Sequence, residues 1–207
     1  SIGTIFSIHR RVSAGGPGTM ADCLQPGRKQ VAAGYVLYGP GTVLVYTAGN
    51  GVHSFTLDPN IGEFLLHRSD LRIPAKGKYY SINESYHTTW SDAGYRNVVE
   101  AFKGISGKGQ ERNARYIGPL VADFHRNLLH GGVFMYPAEA KAPNGKLRLL
   151  YEAAPLAFVA EQAGGAASDG RSRILDIVPT SLHQRSPLVI GSKDDVEFVA
   201  RTLASSH

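Results

Sequence analysis

Apolar positions in the first third of the chain come in short runs cut by turn residues. Ser1 to Arg10 begins at once with β-branched and aromatic residues and predicts a strand. Val12 to Pro26 contains Gly15-Gly16-Pro17-Gly18 and predicts a loop. From Arg28 to Tyr38, Val31, Ala32, Tyr35 and Val36 recur at helical spacing until Gly39-Pro40-Gly41, which predicts a helix. Strand-like runs follow at Thr42 to Thr47, Val52 to Leu57 and Glu63 to His67. Asn50-Gly51 and Asp58-Pro59-Asn60 separate them, so an antiparallel meander is expected.

Between Asp70 and Lys78 the pattern breaks at Pro74 and at Lys76-Gly77-Lys78, which places a boundary between residues 1–71 and 72–207. The second part alternates strand and helix. Strands are predicted at Tyr79 to Ile82, Val133 to Tyr136, Leu175 to Val178 and Leu188 to Ile190. Helices are predicted over Ala93 to Phe102, after Pro119 with Leu120, Val121, Phe124 and Leu128 buried, and from Pro155 with Leu156, Val159, Ala160 and Ala163 buried. Ser192 with Asp195 has the spacing of a capping box and starts the last helix. Gly104 to Arg115 reads as a flexible loop. Its Gly107-Lys108 is followed by Gly109 where a phosphate-binding P-loop needs Ser or Thr, so that motif is excluded. The expected class is α/β.

At 207 residues with 43% hydrophobic and 19% charged residues, the chain has the composition of an ordinary globular protein of one large or two smaller domains. The net charge of +5 is scattered, with no basic run longer than a pair such as Arg10-Arg11, which points away from nucleic acid and towards small anionic ligands. Cys23 is the single cysteine, so no intrachain disulfide forms and a reducing, cytoplasmic setting is expected. Val31 to Leu57 lacks acidic and basic residues but is cut by glycines and Pro40, so no membrane span is expected. The apolar Ile2 to Ile8 precedes Arg10-Arg11, the reverse of a signal peptide's order.

Candidate chemistry centres on Asn144-Gly145-Lys146 through Glu152, where a tight turn delivers a cation and then a carboxylate. Alone, Lys146 reads better as a turn lysine, and Glu152 as a solvated surface carboxylate. Asn83 with Tyr86, Arg115-Tyr116 and Tyr136-Pro137 lie at strand and helix ends, where α/β sheets place ligands. Arginine forks, lysine point charges and neutral tyrosine donors together describe a phosphate seat, although some of the ten tyrosines are equally readable as core residues. A carboxylate just before the Pro155 helix suits a hard cation. The eight histidines show no zinc-type spacing, and no Gly-x-Ser-x-Gly elbow occurs.

Leu24-Gln25-Pro26-Gly27, Val31-Ala32-Ala33-Gly34-Tyr35, Leu37-Tyr38-Gly39, Asn83-Glu84-x-Tyr86, Arg115-Tyr116-Ile117-Gly118 and Pro143 to Glu152 together resemble class I fructose-1,6-bisphosphatase. The likeness runs in order through Leu175-Asp176-Ile177 and His183-Gln184-Arg185 to the C-terminus.

The resemblance implies a layered α-β-α-β-α sugar-phosphatase fold, here incomplete at its N-terminus, with residues 1–71 the remainder of the allosteric domain and 72–207 the sugar-phosphate domain. It implies hydrolysis of the 1-phosphate of fructose 1,6-bisphosphate with Mg2+ or Mn2+. Asn83, Tyr86, Tyr116 and Tyr136 would hold the 6-phosphate, Lys146 would lie near the sugar, and Glu152 would be a metal ligand. Arg115 would reach a neighbouring subunit's site in a homodimer or homotetramer, and Arg10 would lie near an allosteric nucleotide site. The family's acidic loop and AMP-binding helices have no counterpart here, and Ser85 stands where the family has glycine. The expectation is therefore a chain that does not hydrolyse its substrate alone. Rival readings are a sedoheptulose-1,7-bisphosphatase or dual-specificity enzyme, and a non-catalytic sugar-phosphate-binding subunit.

Overall fold

The computed structural model describes residues 2–107 and 111–206. Ser1, His207 and the tip of the predicted 104–115 loop, Lys108 to Gln110, lie outside the described residues.

The first sheet is an antiparallel meander of β1 (Ile2–His9), β2 (Gln30–Tyr38), β3 (Val43–Thr47), β4 (His53–Asp58) and β5 (Glu63–Arg68). The predicted helix over Arg28 to Tyr38 is corrected: a 3-10 turn at Gly27–Lys29 leads into β2, which pairs with β1 and β3 along its length. Both faces of this central strand are largely covered, so apolar residues occur at odd and even positions and imitate a helical stripe. Gly34 admits no side chain here, because a Cβ would meet the Val45 carbonyl oxygen at 2.4 Å and the Phe6 ring at 2.7 Å. Within the predicted Val12–Pro26 loop, Asp22 organises a short helix α1 (Met20–Cys23) by accepting hydrogen bonds from the backbone N–H groups of Val12, Ser13 and Thr19.

The second sheet runs β10 (Ala166–Ser168), β12 (Leu188–Gly191), β8 (Val133–Tyr136), β6 (Tyr79–Ser81) and β7 (Asn113–Ala114). Its β8, β6 and β7 are mutually parallel, whereas β10 and β12 are antiparallel additions. A two-stranded ribbon of β9 (Leu147–Arg148) and β11 (Arg185–Ser186) stands apart.

Helices α3 (Leu120–His130) and α4 (Ala154–Gln162) fill the space between the sheets. Tyr35 and Val45 of the first sheet, Phe124 and Leu128 of α3, Leu156 and Val159 of α4, and Phe134 and Ile190 of the second sheet form one buried cluster. On the far face, Tyr80, Met135 and Val189 pack with α2 (Gly94–Phe102) and α5 (Lys193–Ala204) in a second cluster. The described layers are therefore sheet, helices, sheet, helices, each apolar face buried against the next.

Two further expectations are corrected. Leu175 to Val178 is no strand; Ile174–Asp176 forms a 3-10 turn with Ile174 and Leu175 pressed into the core. The Ser192–Asp195 capping box does not form. The Ser192 hydroxyl accepts from Gly132 N–H, and Asp195 accepts from Gly77 N–H and pairs with Arg112 at 2.7 Å. Both side chains tie neighbouring segments to the helix start, a tertiary demand that outweighs the local cap.

Candidate phosphate site

Because β6, β7 and β8 are parallel, their C-terminal ends lie on one edge of the sheet. Asn83 follows β6, Arg115 and Tyr116 follow β7, and Tyr136 closes β8. A 3-10 turn at Glu84–Tyr86 then presents Tyr86. Glu84 fixes this turn: it accepts a 2.8 Å hydrogen bond from the Tyr80 hydroxyl and pairs with Lys103. Asn83 caps it by accepting from Ser85 N–H at 3.2 Å.

Lys146 arrives from another direction. Gly145, at a φ of 76°, makes the turn, and a Cβ there would meet Pro187 N at 2.4 Å, so only glycine lets this loop lie against the chain after β11. The Lys146 ammonium donates to Glu139 Oε1 at 2.8 Å and sits 5.2 Å from the Tyr86 ring centre. Donating to the Glu139 carboxylate raises the Lys146 pKa. Glu139 lines a small cleft with Asn83, Tyr86, Trp90 and Tyr136.

Tyr116 completes the group. Burial raises the pKa of its hydroxyl, with Tyr136 and then Asp123 nearby adding to the shift, while the Asn83 side chain opposes it by hydrogen bonding. The phenol therefore stays a neutral donor at physiological pH. Asn83, Tyr86, Tyr116, Tyr136 and Lys146 are thus one neighbourhood built from separate segments.

Arg115 behaves differently. Its guanidinium donates to the Ala114 carbonyl at 2.9 Å, lies 5.9 Å from the Tyr79 ring centre and is exposed. Glu152 lies in a π-helical turn, Leu149–Ala153, continuous with α4, and its Oε2 accepts from Arg148 N–H at 2.6 Å. Arg148 in turn donates to the Lys146 carbonyl at 3.0 Å, so the turn, β9 and Glu152 form a connected unit.

The sequence did not reveal Asp123 and Arg126. Asp123 is fully buried, accepts from Ile117 N–H and Gly118 N–H at 3.0 Å each, and pairs with Arg126 at 2.8 Å. Arg126 also donates to Ser81 Oγ and lies 5.8 Å from the Tyr79 ring centre. The pair clamps the Arg115–Gly118 segment against β6 and so places Tyr116. An acidic and a basic residue three apart in the predicted α3 were visible, but their inward direction was not. Glu139 carried no sequence signal at all.

Two family descriptions match this chain: "Fructose-1-6-bisphosphatase, N-terminal domain" over residues 1–69 and "Fructose-1-6-bisphosphatase, C-terminal domain" over residues 73–204. Among similar proteins, the class 1 fructose-1,6-bisphosphatase of Chloroherpeton thalassium is 59% identical over 199 residues, covering 96% of this chain and 57% of that protein. The class 1 enzyme of Synechococcus sp. (strain JA-2-3B'a(2-13)) is 57% identical over 206 residues, covering 100% of this chain and 60% of its own length. That of Lawsonia intracellularis is 59% identical over 211 residues, covering 99% and 62%. The chain belongs to the class 1 fructose-1,6-bisphosphatase family, and it spans about 60% of the length of these relatives.

The family implies a divalent metal ion. Among the described residues no group of three His, Cys, Asp or Glu side chains converges, and the Glu152 carboxylate is engaged by Arg148 N–H. The described residues do not fit a complete metal site. No described helix is long and apolar enough to cross a membrane.

Proposed function

We propose that Asn83, Tyr86, Tyr116, Tyr136 and Lys146 form the seat for the 6-phosphate of a fructose phosphate. On this reading the chain is the sugar-binding part of an enzyme that hydrolyses the 1-phosphate of fructose 1,6-bisphosphate. The observation that carries it is the convergence of neutral donors and one cation from segments far apart in sequence, at the C-terminal edge of three parallel strands. Tyrosine hydroxyls and the Asn83 amide donate to phosphate oxygens without adding charge, and Lys146 supplies the counter-charge. A lysine ammonium has three protons, so Lys146 can keep Glu139 and still donate to a phosphate.

Around this seat the proposal assigns further parts. Residues 1–71 and 72–207 are the remainder of an allosteric domain and the sugar-phosphate domain of a cytoplasmic enzyme with an α-β-α-β-α layer order. Arg10 lies near the nucleotide site of the first. Arg115, exposed and turned onto Tyr79, serves a neighbouring subunit's site in a homodimer or homotetramer. Glu152 is one ligand for Mg2+ or Mn2+, whose remaining ligands come from elsewhere. The 207-residue chain alone therefore binds fructose 6-phosphate without releasing phosphate from fructose 1,6-bisphosphate.

Calorimetric titration with fructose 6-phosphate tests the seat. Lys146→Ala is expected to weaken binding roughly tenfold to a hundredfold, as loss of a charged hydrogen bond does. Unchanged affinity in that variant removes Lys146 from the site. Phosphate release by the purified chain at a full-length rate overturns the claim that it is half of an active site. Competition with sedoheptulose 7-phosphate separates the two sugar preferences.

A further inference from the structure

Three times in the chain a glycine follows an asparagine or aspartate: Asn50-Gly51, Asn144-Gly145 and Asp169-Gly170. In each pair the glycine nitrogen is a nucleophile close to a side-chain carbonyl carbon, and the missing Cβ leaves its approach unhindered. Ring closure requires that nitrogen to give up any hydrogen bond it donates, and the peptide plane to turn towards the side chain. The fold treats the three pairs differently.

At Asn144, the Gly145 N–H donates to the Ala142 carbonyl at 2.9 Å. Backbone also closes the space beside it, since a Cβ on Gly145 would meet Pro187 N at 2.4 Å and Ser186 C at 2.5 Å. At the half-buried Asp169, the Gly170 N–H donates to Ser168 Oγ at 3.0 Å, while Asp169 Oδ1 accepts from Arg171 N–H and Ser172 N–H. Asn50 is exposed. Gly51 itself is buried, but its N–H has no hydrogen-bond partner among the described residues. The nearest atom to a Cβ there is Asp70 Oδ1 at 2.8 Å, the tip of an exposed side chain paired with Arg72, so no backbone blocks the turn of the peptide plane.

Asn50 also lies beside the segment that leads from the first sheet to the second. Leu71 N–H donates to the Val52 carbonyl at 2.7 Å and Asp70 N–H to His53 Nδ1 at 3.4 Å, so the turn between β3 and β4 holds that segment. Ile73 N–H then donates to the Ala163 carbonyl, just past α4, at 2.9 Å.

We propose that Asn50 is a site of spontaneous covalent modification, and that its conversion loosens the hold of this turn on the crossing segment. The Gly51 nitrogen attacks Asn50 Cγ. The N–Cγ bond forms, the Cγ–Nδ2 bond breaks, and the Gly51 amide proton leaves with the side-chain nitrogen as ammonia. Water then opens the cyclic imide at either carbonyl, which gives aspartate or its β-linked isomer. Both products place a carboxylate next to the contact between Gly51 and Asp70, where like charges repel. The β-linked product also adds one carbon to the main chain of the turn. The Asn144 turn, which carries Lys146, is shielded from the same chemistry by the fold.

Incubation of the whole chain at mildly alkaline pH, followed by digestion and peptide mass mapping, tests the site. Conversion at Asn50 should run fivefold or more faster than at Asn144 or Asp169, the factor that one hydrogen bond is worth. In urea strong enough to unfold the chain, the Asn50 and Asn144 rates should agree within twofold, because the fold and not the neighbouring sequence makes the difference. No conversion at Asn50, an equal rate at Asn144 in the folded chain, or a gap that persists in urea overturns the site.

Hydrogen exchange at Leu71 N–H tests the loosening. It should be fivefold or more faster in the converted chain than in the fresh one, whereas Asn50→Gln, whose longer side chain closes a ring far less readily, should show no change after the same incubation. Unchanged Leu71 exchange in the converted chain overturns the loosening and leaves the modification site standing. An equal acceleration in Asn50→Gln overturns the link between Asn50 and the crossing segment.

Discussion

Lys146 is held by the Glu139 carboxylate, and that pairing sets the charge of the proposed seat. Its partner Glu139 is mostly buried, so its negative charge faces any incoming phosphate at short range. Glu139→Gln should tighten fructose 6-phosphate binding by about fivefold, the equivalent of about 1 kcal/mol, in a calorimetric titration. A weaker affinity would mean that Glu139 orients Lys146 more than it opposes the ligand. Far from the seat, Asp22 shows the other use of a carboxylate. Hydrogen bonds from Thr19, Ser13 and Val12 hold its pKa well below the ordinary value. A folded pKa below the unfolded one stabilises the fold fully above the unfolded value of about 3.9, and this is lost as pH falls through the folded value. Asp22→Asn should therefore lower the melting temperature at pH 7, and the gap to the parent should close as pH falls below about 4. A gap of the same size at pH 7 and pH 2 would contradict this.

At the scale of elements, the Asp123–Arg126 pair joins α3 to the segment after β7. Removing one member of a buried pair leaves an uncompensated charge, which costs about 3–5 kcal/mol. Asp123→Ala also strands the Ile117 and Gly118 N–H groups, so urea unfolding should show a loss at the upper end of that range. Asp123→Asn keeps an acceptor for them and should lose less. Elements with one covered face were legible in the sequence: Val43–Thr47, His53–Asp58 and the stripe of Leu120–His130 alternate or repeat as a single face demands. β2 was not, because a strand covered on both sides loses its period of two. The Ile174–Asp176 turn was misread for a related reason: its apolar residues are buried by the packing of the 3-10 turn on α4, with no strand partner.

Across the whole molecule, β5 is an edge strand with Phe64, Leu65 and Leu66 exposed at 38%, 49% and 58%. An apolar edge of this kind invites a second chain. The proposed homo-oligomer should therefore sediment as more than a monomer, and Leu66→Glu should shift it towards monomer; a monomeric parent would leave β5 without that role. Asn83, Tyr86, Tyr116, Tyr136 and Lys146 of the proposed seat were legible as candidates in the sequence, because each stands at a turn or element end marked by local residue chemistry, whereas their neighbour Glu139 was not. The sequence by itself determined those types and their turn positions, since hydrogen-bonding capacity and turn preference are properties of single residues and near neighbours. Only the tertiary structure decided that three parallel strands bring them to one edge, that Asp123 faces inward, and that Arg115 turns onto Tyr79. Direction and convergence depend on contacts between segments far apart in the chain, and no local pattern records them.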